Sequence, residues 1–424
     1  MKIYLRTFGC RANHYDSEAV RAMVEASGHA LVSHAADADV AVFNSCAVTS
    51  EAEAELRKVV RRSARERAGL RSVVMGCAAA LDDTRPEASR IASLPSVESV
   101  VGGADLDGVA RALGIAKRPL AARTSAQAGT RALLRVQDGC DEHCTFCATT
   151  LARGANRSRA IDELVHEALL LAERHPEIVI TGIHIGTYGA DSGSSLGELM
   201  ERLVAAVPVV RFRLSSIEAT ELDERLVDLL VGAPDRIAPH VHAPLQSGSD
   251  RVLRRMGRHW YTRASYASAV EHLAGRMPIL GLGADVIAGF PGETDVDHAA
   301  TMRVIDELPF TYLHVFPYSA RPGTAADRLR DRVHPAAITE RAAELRELGR
   351  RKAAAYVAGR AGGLADVVVV SGGTEREGMT GDFLDVRIAD PSFARGDRFV
   401  ARLLASKDSL RAVREPGAEG ARSE

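Results

Sequence analysis

Cys140-Asp141-Glu142-His143-Cys144-Thr145-Phe146-Cys147 is the stretch on which the reading of this chain turns. Its spacing is C-x3-C-x2-C, and it directly follows a strand-like run, Ala132–Val136 (ALLRV). Three thiolates on one short loop can bind three irons of a cubane cluster and leave the fourth iron open to another ligand. A closed structural zinc site normally takes four ligands, and no fourth cysteine lies nearby. His143 is the one competing donor inside the loop.

The same kind of strand continues on either side. Downstream, Glu177–Gly182, Arg211–Ser216, Ala238–Ala243, Pro278–Ile287 and Tyr312–Phe316 alternate with helical stretches such as Ile161–Arg174 and Arg263–Gly275. Six β/α units over this length predict a partial barrel of the TIM type, with Thr339–Tyr356 as a charged closing helix. Upstream, Met1–Thr7, Asp39–Asn44, Ser72–Gly76 and Val97–Gly102 read as strands, and Ser50–Arg67 as a helix. A further helix is expected at Ser17–Ala26, capped by Asp16. This is a second β/α pattern with a parallel sheet. Asp366–Ser371, Met379–Thr380, Asp385–Ile388 and Phe399–Ala405 are short strands with glycine turns between them, and predict a small β-barrel.

The expected order is therefore an N-terminal α/β unit over 1–115, a linker over 116–130, the barrel over 131–357, a small all-β unit over 358–414, and a disordered tail over 415–424.

The chain's other three cysteines are Cys10, Cys46 and Cys77. Each closely follows an apolar strand: IYLRTFGC, VAVFNSC and SVVMGC. In a parallel sheet the strand C-termini open on one edge, where ligands bind. Thiols scattered in sequence would therefore meet there. One such cysteine would be an ordinary buried residue; three, matching the three of the loop, favour a second cluster.

Of the 424 residues, 46% are hydrophobic and 26% charged, and the net charge is −2. That is a soluble globular composition without the general basicity of many nucleic-acid binders, so any RNA contact must come from local patches. No run of about 18 apolar residues suggests a membrane span, and Met1–Gly9 reads as a strand and not an export signal. A cytoplasmic protein with reduced or metal-bound cysteines is expected.

Gly9-Cys10-Arg11-Ala12-Asn13, Asn44-Ser45-Cys46-Ala47-Val48-Thr49, Gly76-Cys77, the three-cysteine loop and Ala152-Arg153-Gly154 carry a family resemblance. So do Thr181-Gly182-Ile183-His184, Ser215-Ser216-Ile217-Glu218, Pro244–Ser249 (PLQSGS) and Gly289–Thr294 (GFPGET). Along nearly its whole length the chain resembles the methylthiotransferases of the radical S-adenosylmethionine (SAM) superfamily. The resemblance implies two 4Fe–4S clusters, one on Cys140, Cys144 and Cys147 and one on Cys10, Cys46 and Cys77, and a C-terminal RNA-binding barrel of the TRAM type. It implies that SAM is cleaved to a 5′-deoxyadenosyl radical, and that sulfur from the second cluster, methylated from another SAM, reaches C2 of an adenine. Electron donor and sulfur source are external and unidentified.

Residues expected near SAM are Phe146, which can pack on its adenine, Gly182, whose backbone can approach closely, and Glu218, Gln246 and Asp285 at strand C-termini. Arg153–Arg159 (RGANRSR) is the expected RNA or SAM contact; Arg57–Arg67, Arg251–Arg258 and Arg341–Lys352 are further basic clusters. Cys10–Tyr15 (CRANHY) and Cys46–Thr49 (CAVT) resemble the branch acting on N6-threonylcarbamoyladenosine at tRNA position 37. Isopentenyladenosine in tRNA and an aspartate of a ribosomal protein are the rival substrates. An iron–sulfur carrier without catalysis is the rival class. One departure stands out: Ala148-Thr149-Thr150-Leu151 occupies the place where the family usually has two aliphatics, Pro and Tyr.

Overall fold

The computed structural model describes residues 1–115, 127–373, 376–406 and 409–415. Most of the expected linker, residues 116–126, and all but Glu415 of the expected tail lie outside them.

Five parallel strands form the N-terminal sheet: β1 (Lys2–Thr7), β2 (Ala30–Val32), β3 (Val40–Ser45), β4 (Arg71–Gly76) and β5 (Val97–Gly102), in the order β2-β1-β3-β4-β5. β3 is buried along its whole length, as a central strand covered by helices on both faces must be. The order reverses between β1 and β3, and a crevice opens there beyond the strand C-termini.

The first helix differs from the sequence expectation. It begins at Arg11, with Cys10 at the N-cap, and runs to Ala26. Asp16 therefore caps nothing: it lies inside the helix, buried against Arg153 and Arg135 of the next unit. A tertiary ion pair explains a residue whose local chemistry suggested a helix start.

Two antiparallel two-residue strands, β7 (Gln137–Asp138) and β8 (Arg157–Ser158), close the neck of the segment that holds Cys140–Cys147. The barrel strands are β6 (Ala132–Arg135), β9 (Glu177–Thr181), β10 (Arg211–Leu214), β11 (His240–His242), β12 (Gly281–Ala288) and β13 (Tyr312–Pro317). They form two parallel three-stranded sheets, β6-β9-β10 and β11-β12-β13, joined by parallel bridges at Phe212–Ile237 and Ser216–His242. The six β/α units of the sequence reading are thus present, and the barrel's core is the largest of the molecule.

Strands β14 (Leu364–Val369), β15 (Arg376–Thr380), β16 (Asp385–Ile388), β17 (Arg398–Ser406) and β18 (Ser409–Arg414) close a barrel. It sits under the N-terminal ends of the large barrel's strands. Arg213 donates to the carbonyls of Gly381 and Thr380, both at 2.9 Å, and Arg211 reaches Asp366 at 2.9 Å. Glu177 binds Arg211 at 2.6 Å and Arg213 at 2.8 Å; all three side chains are fully buried. The β15–β16 turn carries Phe383 against His240, ring centroids 4.4 Å apart.

Candidate active site

The three N-terminal cysteines come together at the crevice. Cys10 follows β1, Cys46 follows β3 and Cys77 follows β4, and none is in a disulfide. Gly9, at φ +96°, makes the approach possible: a Cβ there would sit 2.5 Å from the Cβ and 2.6 Å from the Sγ of Cys46. Burial pushes the Cys77 thiol up to about 11, with nearby Cys10 and Cys46 adding to the rise and Arg153 opposing it. Burial also raises Cys46, again with Cys10 as a neighbour. Three soft sulfur donors in one pocket suit an iron–sulfur cluster.

The second set lies on the segment between β7 and the short helix Thr149–Arg153. Its fold is held by Thr145, whose N–H donates to the Met256 carbonyl at 2.8 Å, and by the Cys147 N–H, which donates to the Cys144 carbonyl at 3.1 Å. Burial pushes Cys144 up to about 12, with Cys147 and Cys140 contributing through their charge. Cys140 Sγ is 3.6 Å from His184 Nδ1, and His184 Nε2 is 2.8 Å from Glu221. His143, the competing donor inside the loop, is exposed.

Each cysteine set has its own buried arginine. Arg258 Nη1 donates to Cys144 Sγ at 3.4 Å, and Arg153 Nε to Cys77 Sγ at 3.2 Å. A cubane held by three thiolates would carry negative charge, which a guanidinium at this distance would offset. Glu218 pairs with Arg258, and its other oxygen, Oε2, is buried without a hydrogen-bond partner. Such an orphaned acceptor beside the loop fits the hydroxyls or amino group of SAM. The donor sets and this free acceptor thus fit two clusters and SAM.

The other residues expected near SAM divide. Phe146 is half-buried and packs edge-on against Phe290, centroids 6.3 Å apart. Gly182 directly follows β9, with Gln137 so close that a Cβ would meet its backbone oxygen at 2.9 Å. The N–H groups of Ile183 and His184 donate to Gln137 Oε1, and the His184 carbonyl accepts from Thr187, so this strand-end turn is fixed by its own hydrogen bonds. Gln246 is held at φ +59°, uncommon for a side-chain-bearing residue and a conformation that collects at ligand sites. Asp285 sits within β12, accepting from His242 at 2.9 Å and His314 at 3.2 Å, which hold its carboxyl well below the ordinary range despite its burial.

Arg153 departs from its expected role as an RNA or SAM contact. It is buried, bound to Asp16 at 2.7 Å, Asn13 at 2.8 Å and Asp138 at 3.3 Å, and it joins the two α/β units. Arg159 is likewise engaged, by Glu167 at 2.7 Å; of that segment's arginines Arg157 alone is well exposed. Arg258 and Arg341 are buried in ion pairs too, whereas Arg61, Arg62 and Arg65 are exposed. Sequence reading missed Arg258 and His184 as site residues: one lay in a run of basic residues, the other in a strand-end glycine motif. In the atypical segment, Ala148 is buried in the N-terminal unit's core and Leu151 is exposed.

Residues 134–305 match the radical SAM superfamily, and residues 2–102 match the uncharacterized protein family UPF0004. The fold is also that of a radical SAM methyltransferase from Kitasatospora setae, TsrM, solved with cobalamin and a [4Fe-4S] cluster. The TM-score is 0.54 at 14% identity, over 77% of this chain and 74% of that one. Fold and site thus define a radical SAM enzyme.

The chain is 32% identical to the threonylcarbamoyladenosine tRNA methylthiotransferase MtaB of Aquifex aeolicus, over 91% of this chain and 96% of that protein. It is 36% identical to the MtaB of Bacillus subtilis, over 84% and 81%. It is 35% identical to the tRNA-2-methylthio-N(6)-dimethylallyladenosine synthase of Sorangium cellulosum, over 88% and 82%. The chain belongs to the radical SAM methylthiotransferase family, enzymes that use SAM and 4Fe–4S clusters.

Proposed function

We propose that this chain adds a methylthio group to C2 of N6-threonylcarbamoyladenosine at position 37 of tRNA. The observation that carries the reading is the joining of two three-cysteine sets through one residue: Arg153 follows the radical loop and donates to Cys77. The relatives named for this substrate, at 32–36% identity, supply the substrate.

In this reading Cys140, Cys144 and Cys147 hold the SAM-cleaving cluster, and Cys10, Cys46 and Cys77 hold the second one. When bound, the clusters and SAM supply the radical, the sulfur and the methyl group. The chain's own residues position them. Arg258 and Arg153 offset the charge of the two thiolate sets. Glu218 Oε2 is free to accept from SAM, with Gly182 and Gln246 beyond the ends of their strands, Asp285 within β12 and Phe146 on the cysteine loop as further contacts. Residues 1–115, 131–357 and 358–414 are the working units. The last, together with the exposed arginines of the helix Ser50–Glu66, takes the anticodon stem-loop through its phosphates. Electrons and replacement sulfur come from outside the chain. Among the described residues no helix is long and apolar enough to cross a membrane, in keeping with an enzyme that works on tRNA in the cytoplasm.

The test is mass spectrometry of tRNA nucleosides from a deletion strain, with and without the restored gene. The methylthiolated threonylcarbamoyl nucleoside should disappear and return. Loss of a methylthiolated dimethylallyl nucleoside in its place would move the assignment to the function named for the Sorangium cellulosum relative.

A further inference from the structure

Strands β11, β12 and β13 set three metal-ligating side chains beside one another. Asp285 is paired across β12 and β13 with His314, and His242 is paired with Gly283, two residues before Asp285. Residues two apart on a strand share a face, so the three side chains meet on one face of the sheet. His240 and Tyr312, each two residues earlier on its strand, lie on that face too and meet Phe383 at the plugged end of the barrel. His242 Nε2 is 2.9 Å and His314 Nδ1 3.2 Å from Asp285 Oδ1, and one ligand atom from each residue lies within 4.8 Å of the others. Donors bonded to one ion at about 2.0–2.2 Å sit roughly 3–4 Å apart, so this is close to the spacing of a single metal centre.

The surroundings suit an ion as well. A Cβ on Gly283 would stand 2.0 Å from the Tyr312 ring, so the missing side chain makes room for the phenol. The phenol oxygen lies 3.0 Å from His242 Nδ1 and 2.8 Å from His240 Nε2. A ligating imidazole nearly always has its other nitrogen held in this way. With the proton on Nδ1, donated to Tyr312, the Nε2 lone pair of His242 faces Asp285 and His314. Asp285 also differs from Asp16, Glu177, Glu218 and Asp382, which are each paired with an arginine. Its own ion pairs are both with imidazoles. A cation takes the place of their two N–H groups once each ring carries its proton on the other nitrogen. His242 is buried, Asp285 half-buried and His314 exposed, so the group is held on one side and open on the other.

We propose that His242, Asp285 and His314 form a metal site apart from both cysteine sets, for a divalent transition-metal ion of the zinc or iron(II) kind. Two imidazoles and one carboxylate select such ions over magnesium and calcium, which take oxygen donors. Three protein ligands leave room for water or another oxygen donor, as catalytic sites do and closed structural sites do not. The site shares no residue with the cysteine sets and does not rest on the substrate reading above.

The probe is zinc alone. Reconstituted holoenzyme, freed of loose metal by chelator and kept without SAM, is dialysed anaerobically against micromolar zinc. Wild type should bind about one zinc per chain beyond its iron, with X-ray absorption showing nitrogen and oxygen neighbours at about 2.0–2.2 Å. H314A and D285N should each keep the iron content and weaken zinc binding by about tenfold or more. H272A, at an exposed histidine–glutamate pair elsewhere, should bind as wild type does. Wild type without zinc, or zinc bound through sulfur at about 2.3 Å, overturns the inference, and neither result depends on how a variant folds. So does H314A or D285N with wild-type affinity, or an equal loss in H272A.

Discussion

Arg153 Nε lies 3.2 Å from Cys77 Sγ, so a side chain that follows the radical loop donates into the cysteine set of the other unit. The same guanidinium binds Asp16 and Asn13 of the first helix. One buried residue thus ties the N-terminal sheet, the loop helix and the edge of the barrel together.

Replacing Arg153 by Met should cost about 3–5 kcal/mol, because Asp16 would stay buried with less compensation. In calorimetry the transition should fall by several degrees. The variant should also lose methylthiolated product more than 5′-deoxyadenosine, since the disturbed contact is to Cys77. Equal loss of both products per folded enzyme would contradict this account.

The two cysteine sets should separate by function. Anaerobically reconstituted protein should hold about eight irons, and the triple Ala variant at Cys140, Cys144 and Cys147 about four. A triple Ala variant at Cys10, Cys46 and Cys77 should still cleave SAM under strong reductant but yield no methylthioadenosine. The loop variant should do neither. Normal product from the folded N-terminal variant would exclude a role for those thiols in sulfur delivery.

Glu177 gives a pH prediction. Burial opposes its charge, but Arg211, Arg213 and Arg131 hold it well below the ordinary value of 4.5. The same network raises Arg211, whereas Arg213, fully buried beside Arg211, is lowered. A depressed carboxylate contributes stability above its unfolded pKa and loses that contribution as pH falls toward the folded one. E177Q should therefore be less stable by about 3–5 kcal/mol at neutral pH. The gap to wild type, followed by urea unfolding, should narrow only below about pH 4.5. A gap that stays constant into acid would argue against the ion network.

Phe383 sits in the turn that plugs the large barrel, against His240, Tyr312 and the guanidinium of Arg213. F383A should cost about 3 kcal/mol. Removing everything from Gly359 onward should do more: it strips the partners of buried Arg211 and Arg213, so SAM cleavage should fall along with tRNA binding. A truncated protein with wild-type SAM cleavage and stability would show that the small barrel is dispensable to the large one.

The amino-acid sequence alone determined the architecture and the grouping of the cysteines. Alternating apolar strands and helices called for two parallel β/α units, and the β-rich tail for a barrel. Three cysteines at strand ends and three on one loop were legible because strand C-termini share an edge whatever the details of packing. Local patterns carry that information.

What only the tertiary structure decided was the fate of the charged residues. Asp16 reads locally as a helix cap and Arg153 as an RNA contact, yet the two bind each other in the interior. Arg258 lies in a basic run but turns inward to Cys144 and Glu218. The reason is physical. Apolar periodicity marks which face of an element is buried, but a charge is placed by partners from distant parts of the chain, and no local pattern records which partner it meets.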